Sequence, residues 1–228
     1  MKILSIGAKI EDNHFNIVTL SFGEVEKLKT LEAFRYIIIS GGDGAIRRTI
    51  KSLHHKKCTI PPLILNPVGS FNVIAKLHKV PHYTTLLHTL SQQKEIVTKS
   101  QKYYSLNDEI FLFSAGNMGD LQHIFLAETL RFGLLKKGMA KYLLAGLFLL
   151  PVHLIMTPFM LLSPRRFFIF TPASFLSKFG SFRGEVKEPF TIDLENNYNL
   201  VELDGDVTTI QESKLHIAPA GSVEIVTQ

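Results

Sequence analysis

The sequence predicts an α/β fold in which a parallel sheet comes first and a β-rich, sandwich-like half follows. A buried strand, Phe34–Ser40, runs into Gly41-Gly42-Asp43-Gly44, and a helical pattern follows this loop. The same order of strand, glycine-bearing loop and helix recurs after a second short strand, Leu63–Leu65. From Arg166 onward, short strand-like runs dominate. We therefore predict an α/β domain over residues 1–100 and a β-rich domain over residues 101–228.

The elements of the first half follow from their apolar spacing. Residues 1–10 and 15–20 have the character of short strands, and Tyr36–Ile39 is a continuous apolar run, which is typical of a strand buried on both faces. Apolar residues then recur at helical spacing, which predicts helices from about Ala45 to His54 and from Val73 to a point before Pro81. Alternating strands and helices indicate a parallel sheet with crossover connections.

The second half of the sequence has a different pattern of predicted elements. We predict a strand at Ile110–Phe113, a loop at Gly116–Gly119, and helices over Gln122–Lys137 and from Tyr142 to about Leu150. The strands predicted after the helices are Arg166–Thr171, Phe190–Leu194, Leu200–Leu203, Leu215–Ala218 and Val223–Val226.

One apolar run complicates an assignment as a water-soluble protein. Tyr142–Ser163 contains no Asp, Glu, Lys or Arg, and basic residues flank it on both sides. Its length suffices for a bilayer, which takes roughly 20 apolar residues. Pro151, His153 and Pro158 interrupt it. A buried helix with a loop, a surface that dips into a membrane, and a true membrane span all remain open.

The composition limits the classes of partner that the protein is expected to bind. The formal charge of +5 favours anionic partners such as nucleotides or acidic lipid surfaces. The basic clusters lack the interleaved aromatic residues of a nucleic-acid platform, so nucleic acid is not expected. The amino terminus shows no cleavable signal peptide, and the single cysteine, Cys58, fits a reducing compartment. We expect a cytoplasmic protein, with peripheral attachment to a membrane as a further option.

The first glycine loop has the composition of a phosphate-binding turn. Gly41, Gly42 and Gly44 allow a sharp turn and bring backbone N–H groups close to a ligand, and the N-terminus of the following helix adds partial positive charge. Asp43 could cap the helix or hold a water near a metal ion. A plain strand-to-helix turn capped by Asp43 is the structural alternative.

The second loop strengthens the ligand-binding interpretation. Gly69, Ser70 and Asn72 follow the next strand and open the next helix. Ser70 and Asn72 can donate hydrogen bonds to phosphate or ribose, or cap their own helix. Two such loops on neighbouring parallel strands lie side by side at the carboxyl edge of a sheet, where ligands bind in open α/β folds.

Together these segments resemble the catalytic domain of the diacylglycerol and sphingosine lipid kinases. The residues that carry the resemblance are IIISGGDGAIRRTIKSL and LILNPVGSFNVIAKLHKVP, with KKGMAKYLLAGL at 136–147 and a closing ELDGDVTTIQESKLHIAPAGSVEIV. The order of the segments matches across most of the chain. NAD kinases share the first glycine loop, but the second and closing segments are closer to the lipid kinases.

The resemblance implies roles for particular residues. Gly41, Gly42, Asp43 and Gly44 would contact the phosphates of ATP, used with Mg²⁺, and Ser70 would stand where a threonine contacts the nucleotide. Asp206 would take the position of a glutamate that acts as general base toward the hydroxyl of diacylglycerol or a related lipid. No metal ligands are assigned. The structural alternative is that Asp204-Gly205 is simply a hairpin turn.

Three departures from the family pattern keep a second function open. Ala45 replaces a threonine, Val73 replaces an aspartate, and the segment that supplies a structural magnesium site is not recognisable. The alternative to a lipid kinase is a degenerate relative that binds nucleotide or lipid without phosphoryl transfer. A kinase for a small molecule such as NAD is a third reading.

Overall fold

A computed structural model describes residues 1–28, 30–56, 59–117, 126, 129 and 140–228. The chain divides into two compact units. The first unit comprises Met1–Lys102 and Gly221–Gln228, and the second comprises Tyr103–Ala220. Cys58 and most of the helix predicted over Gln122–Lys137 lie outside the described residues.

The first unit is built on a parallel sheet. Its strands and helices are β1 (Lys2–Ile6), β2 (Asn16–Leu20), β3 (Tyr36–Gly41), α1 (Asp43–His54), β4 (Leu63–Pro67), α2 (Val73–Leu77), α3 (Tyr83–Ser91) and the start of β5 (Thr98–Leu106). The order β2-β1-β3-β4 is parallel throughout. The end of β14 (Lys214–Val226) then pairs in parallel with β4, through Ile225 and Leu63. This pairing groups the last residues of the chain with the first unit, whereas we had predicted them in the second domain.

The core of the first unit is built around β3, which is buried along its whole length. Ile37, Ile38 and Ile39 are fully buried, and β-branched residues favour the extended backbone that this position demands. Ile38 and Ile64 pack with Leu86 of α3 in one apolar cluster. Helix α3 and strand β5 were not predicted from the sequence.

The second unit is β-rich. Its elements are the rest of β5, β6 (Glu109–Phe111), β7 (Ser114–Gly116), α4 (Ala140–Leu162), β8 (Phe168–Phe170), β9 (Lys178–Phe179), β10 (Phe182–Arg183), β11 (Phe190–Asp193), β12 (Asn199–Leu203), β13 (Asp206–Ile210) and the start of β14. One sheet has the order β13-β12-β7-β8-β10-β9, and the other strands, β5, β6, β11 and β14, belong to a second sheet. The two segments predicted as separate strands near the C-terminus are one strand, β14.

The core of the second unit lies between side chains of both sheets. Phe111 and Ile217 from one sheet share an apolar cluster with Ile169, Val201 and Leu203 from the other. A shared core between two sheets is the arrangement of a sandwich. The predicted fold class, a parallel-sheet α/β half followed by a β-rich half, is confirmed.

Helix α4 corresponds to the apolar run in the sequence. Its side chains are mostly exposed, and Leu143, Leu154 and Leu162 each have more than two thirds of their surface accessible. The alternative of a buried helix is therefore wrong for most of this run. Within the described residues, no single helix has the length and apolar character to cross a membrane. The segments Ala140–Val152 and Leu154–Leu162 meet at 77°, and only together do they satisfy the criteria of length and composition.

Candidate functional site: two paired loops and an acidic hairpin

The two glycine loops predicted from the sequence lie side by side in the first unit. β3 and β4 pair in parallel with Ser40 opposite Asn66 and Gly41 opposite Pro67, so the loops leave the same edge of the sheet. The Asn66 side chain donates to Ser40 Oγ at 3.0 Å, and the Val68 N–H donates to the Gly41 carbonyl at 3.3 Å. We call residues 41–44 and 67–72 the paired loops. The structure brings together here all seven predicted nucleotide-binding residues: Gly41, Gly42, Asp43, Gly44, Gly69, Ser70 and Asn72.

Glycine is required in both loops because their backbones touch. A Cβ atom on Gly69 would lie 2.6 Å from Gly42 Cα, and a Cβ atom on Gly42 would lie 3.1 Å from Gly69 Cα. Side chains at either position would push the loops apart. From the sequence we expect these glycines to allow the approach of a ligand, and in the structure each glycine also makes room for the other loop.

Asp43 connects one loop to the helix of the other. Its Oδ2 accepts a hydrogen bond from the Val73 N–H at 2.8 Å, and its Oδ1 accepts one from the Ile74 N–H at 3.0 Å. Burial raises the pKa of the Asp43 carboxyl, and these two backbone donors oppose the rise. Asp43 therefore caps α2 and not its own helix, α1, and both of its carboxylate oxygens are engaged by the protein.

Asn72 fixes the shape of the second loop. Its side chain accepts from the Gly69 N–H at 3.0 Å and donates to the Gly69 carbonyl at 2.7 Å. Its φ of 49° is left-handed, a conformation that asparagine tolerates better than most residues. Ser70, in contrast, is exposed at the tip of the loop. Of the two polar side chains predicted to contact a nucleotide, Ser70 faces solvent and Asn72 bonds to its own loop.

The second candidate region is a hairpin in the second unit. β12 and β13 are joined by Asp204-Gly205, and Leu203 pairs with Asp206 across the turn. Asp204 and Gly205 have φ values of 52° and 86°, as expected for the two central residues of a type I′ turn. Asp206, the predicted base, is the first residue of β13 and is partly exposed. The hairpin-turn alternative describes the backbone correctly and leaves the role of Asp206 untested.

A buried carboxylate network anchors this hairpin. Asp204 Oδ1 accepts from the N–H groups of Phe113 and Ser114 at 2.8 and 3.0 Å, and its Oδ2 accepts from the Leu112 N–H at 2.8 Å. Glu202 accepts from the Ser114 hydroxyl at 2.9 Å and from the Gly205 N–H. Sequence reasoning missed this network. An acid between apolar strand residues, two positions before the aspartate of a hairpin turn, is the pattern that could have indicated it.

Metal-binding side chains do not cluster in the described part of the chain. No group of three or more His, Cys, Asp or Glu residues has a geometry that could hold a metal ion among these residues. In the paired loops, the single acid is Asp43, which is already hydrogen-bonded to α2.

Part of the chain is similar to a known protein family. The model of the diacylglycerol kinase catalytic domain matches residues 16–101. This matched stretch is similar to the catalytic domain of that family. It contains both of the paired loops, so the predicted resemblance is confirmed for these residues. No curated protein matches the chain.

Solved structures extend the likeness to the fold of the whole chain. A candidate diacylglycerol kinase from Bacillus anthracis superimposes over 100% of this chain and 97% of its own, with 11% identity and a TM-score of 0.53. Another B. anthracis structure of the same description is 18% identical over 57% of this chain, with a TM-score of 0.41, and this chain covers 54% of its length. An NAD kinase from Archaeoglobus fulgidus in complex with ATP is 11% identical over 98% of this chain and 92% of its own, with a TM-score of 0.43. At these identities the first structure shows a shared fold.

Proposed function

We propose that this protein is an ATP-dependent lipid kinase that phosphorylates a hydroxyl group of diacylglycerol or a related lipid. The observation that carries the proposal is the pair of glycine loops at the carboxyl ends of β3 and β4. They lie within the stretch that matches the diacylglycerol kinase catalytic domain. Ligands of open α/β sheets bind at this edge.

The paired loops suit the phosphates of a nucleotide. Gly42 and Gly44 present backbone without side chains, and α1 begins at Asp43, so the positive end of its dipole lies at the loop. Ser70 adds an exposed hydroxyl from the second loop. Asp43 and Asn72 hold the two loops in this arrangement through hydrogen bonds to backbone groups.

Asp206 is the proposed general base. In the reaction, the hydroxyl oxygen of the lipid forms a bond to the γ-phosphorus of ATP, the bond from that phosphorus to ADP breaks, and the hydroxyl proton passes to a carboxylate. The neighbouring Asp204 and Glu202 hold the hairpin through bonds to residues 112–114 and 205, so they position Asp206.

Mg²⁺ neutralises the phosphate charge in reactions of this kind. The described residues do not offer a group of acids that would form a dedicated site, and both oxygens of Asp43 already accept hydrogen bonds. We therefore assign no protein ligand to Mg²⁺, which in nucleotide sites is held largely by water and by the phosphates.

A lipid acceptor requires access to a membrane, and we propose a cytoplasmic protein that attaches to the membrane surface. The exposed apolar side chains of α4 support this attachment, since a contiguous apolar surface of this kind marks an interaction site. The exposed Arg165 and Arg166 follow the helix directly and suit an anionic surface.

A degenerate relative that binds nucleotide without transferring phosphate is the second candidate. It is favoured by Ala45 and Val73, which replace a hydroxyl and a carboxylate of the family pattern. Ala45 is buried and its Cβ lies where a side chain on Gly41 would clash, at 2.3 Å, so this position is filled by packing.

Phosphoryl transfer from labelled ATP separates the two candidates. The full-length protein is incubated with labelled ATP, Mg²⁺ and a panel of diacylglycerol, sphingoid and other lipid acceptors, and the lipid fraction is analysed. A labelled lipid product supports the kinase. Binding of ATP by calorimetry without any labelled product supports the degenerate relative.

A further inference from the structure

The C-terminal end of α4 forms an amphipathic corner with a neighbouring hairpin. The Ser181 hydroxyl donates a hydrogen bond to carbonyl oxygens at the end of the helix, at 3.0 Å to Leu161 and 2.7 Å to Ser163, and the Ser181 N–H donates to the Leu161 carbonyl at 2.8 Å. Gly180 has a φ of +58° and packs directly on Leu161, so another residue there would clash. The β9–β10 hairpin is thereby fixed to the helix end.

Exposed apolar side chains project on both sides of this junction. Leu162 on the helix is 83% exposed, and Phe175 and Phe179 before the hairpin turn are 84% and 66% exposed. Side chains of this size are rarely left in water together unless they bind a partner or a membrane. All three lie on segments joined at this junction, and we call them the apolar edge.

A cationic pocket of about 400 Å³ lies at the same junction. Its lining includes Arg166, Lys178 and Arg183 together with the apolar Leu161 and Leu162, and no acid. The volume is in the range of small-molecule sites. The lining therefore combines positive charge with an apolar rim.

Arg183 also lines a neighbouring cavity with Glu185 and Glu188, but among the described residues no acid forms an ion pair with a pocket cation. Within the described residues, carboxylates pair with Arg165 and with Lys187, both outside the pocket lining, and with none of the three pocket cations. Arg183 lies over the Phe190 ring at 3.8 Å, which fixes its guanidinium in place. The Ser181 hydroxyl proton, which serves one carbonyl at a time, and the Ser181 N–H offset part of the negative charge of the carbonyls at the helix end.

We propose that this pocket binds the phosphate headgroup of an anionic phospholipid, while its acyl chains lie against Leu162, Phe175 and Phe179. Charge complementarity selects the headgroup, and the adjoining apolar edge selects a lipid over free phosphate. The inference rests on the membrane attachment of the proposed function and names a lipid that is bound for anchorage, by residues other than those of the paired loops.

Vesicle binding tests the proposal. Full-length protein is floated with vesicles of phosphatidylcholine alone and of phosphatidylcholine mixed with phosphatidylglycerol. We expect binding to the mixed vesicles only. The exposed Lys178→Gln should weaken it about fivefold and Lys178→Gln/Arg183→Gln about 25-fold, since one basic side chain at an anionic surface contributes about fivefold. Leu162→Gln should also weaken binding.

Lys187→Gln is the matched control, because it removes the same charge from an exposed, ion-paired position in the same unit. It should bind as the wild type does. Equal losses in Lys187→Gln and Lys178→Gln would overturn the pocket in favour of diffuse charge attraction. Binding of inorganic phosphate in calorimetry without any binding to the mixed vesicles would likewise contradict a lipid ligand.

Two further results would overturn the proposal. One is equal binding to both kinds of vesicle. The other is a dimer in size-exclusion chromatography that Leu162→Gln converts to a monomer, since a second copy would then cover the apolar edge. ATP binding by calorimetry and phosphoryl transfer to dispersed short-chain acceptors are measured in parallel. Vesicle binding without transfer would contradict the kinase alone, and transfer without anionic vesicle binding would contradict the pocket alone.

Discussion

In both the paired loops and the β12–β13 hairpin, an aspartate beside a glycine accepts hydrogen bonds from backbone N–H groups of another segment. The two regions differ in the group that is proposed to act on a ligand. Asp43 accepts two backbone N–H groups from α2, and Asp204 accepts three from residues 112–114. Each carboxylate ties its turn to another segment of the chain. In the loops, the groups proposed to meet a ligand are glycine backbone and the N-terminus of α1, whereas in the hairpin the proposed reactive group is a side chain, that of Asp206.

The two regions are therefore sensitive to different kinds of substitution. The loops depend on close contact between backbones, so added atoms at Gly42 or Gly69 disturb them. The hairpin depends on buried hydrogen bonds, so removed atoms at Asp204 disturb it. The predictions below test each dependence in turn.

Removal of the Asp204 carboxylate should have the largest effect on stability. Asp204→Ala leaves three buried backbone N–H groups without their acceptor, and each such group costs about 1–3 kcal/mol. The free energy of unfolding should fall by about 3 kcal/mol or more, measured by urea denaturation. Asp108→Ala, at an exposed aspartate before β6, should leave it nearly unchanged. Similar losses in both variants would contradict the anchoring role of Asp204.

Adding one methyl group to the second loop should weaken nucleotide binding. In Gly69→Ala the new Cβ would lie 2.6 Å from Gly42 Cα and 2.8 Å from Asn72 Oδ1, so the loops must separate. Overpacking of this kind costs about 1–3 kcal/mol, and we expect a loss of ATP affinity of about 5- to 150-fold in calorimetry. Gly42→Ala, with 3.1 Å of clearance, should be milder. Gly23→Ala has open space and is the control; an affinity loss there as large as in Gly69→Ala would argue against loop contact as the cause.

The smallest effect should be a pH dependence from Asp43. Burial raises the pKa of this carboxyl in the folded protein, so the folded state holds its proton to higher pH than the unfolded chain does. The stability from this group is fully present below the ordinary pKa of 3.8 and is lost as pH rises through the folded pKa. We compare the free energies of unfolding in urea of the wild type and of Asp43→Asn across this window. The excess of the wild-type value over that of the variant should shrink as the pH rises. A constant or growing advantage would mean that the backbone donors outweigh burial, and the exposed Glu32→Gln serves as control.

The sequence predicted the paired loops because glycine, buried strand and helix follow one another in a fixed order twice. It could not predict that Gly42 and Gly69 touch, because that contact depends on the pairing of β3 with β4. One of the two roles considered for Asp43, a cap on its own helix, is wrong, because the N–H groups that donate to it lie some thirty residues away.

Prediction of the hairpin from the sequence meets the same limit. Asp204-Gly205 was recognisable as a turn from its two residues alone, but the three N–H groups that Asp204 accepts come from residues about ninety positions earlier. The apolar run of α4 was equally visible. Its length and prolines did not reveal that most of its side chains are exposed, because exposure depends on what packs against the helix.

The central claim, transfer of phosphate from ATP with Asp206 as base, is tested most directly by Asp206→Asn. This change keeps the size of the side chain and removes its basicity, so turnover of labelled ATP into lipid should fall by about 10²–10⁴-fold. ATP affinity, measured by calorimetry on the same preparation, should stay as in the wild type. Asp206→Glu, which restores the longer side chain of the family pattern, should retain or gain activity. An active wild-type protein whose turnover is unchanged in Asp206→Asn would contradict the account.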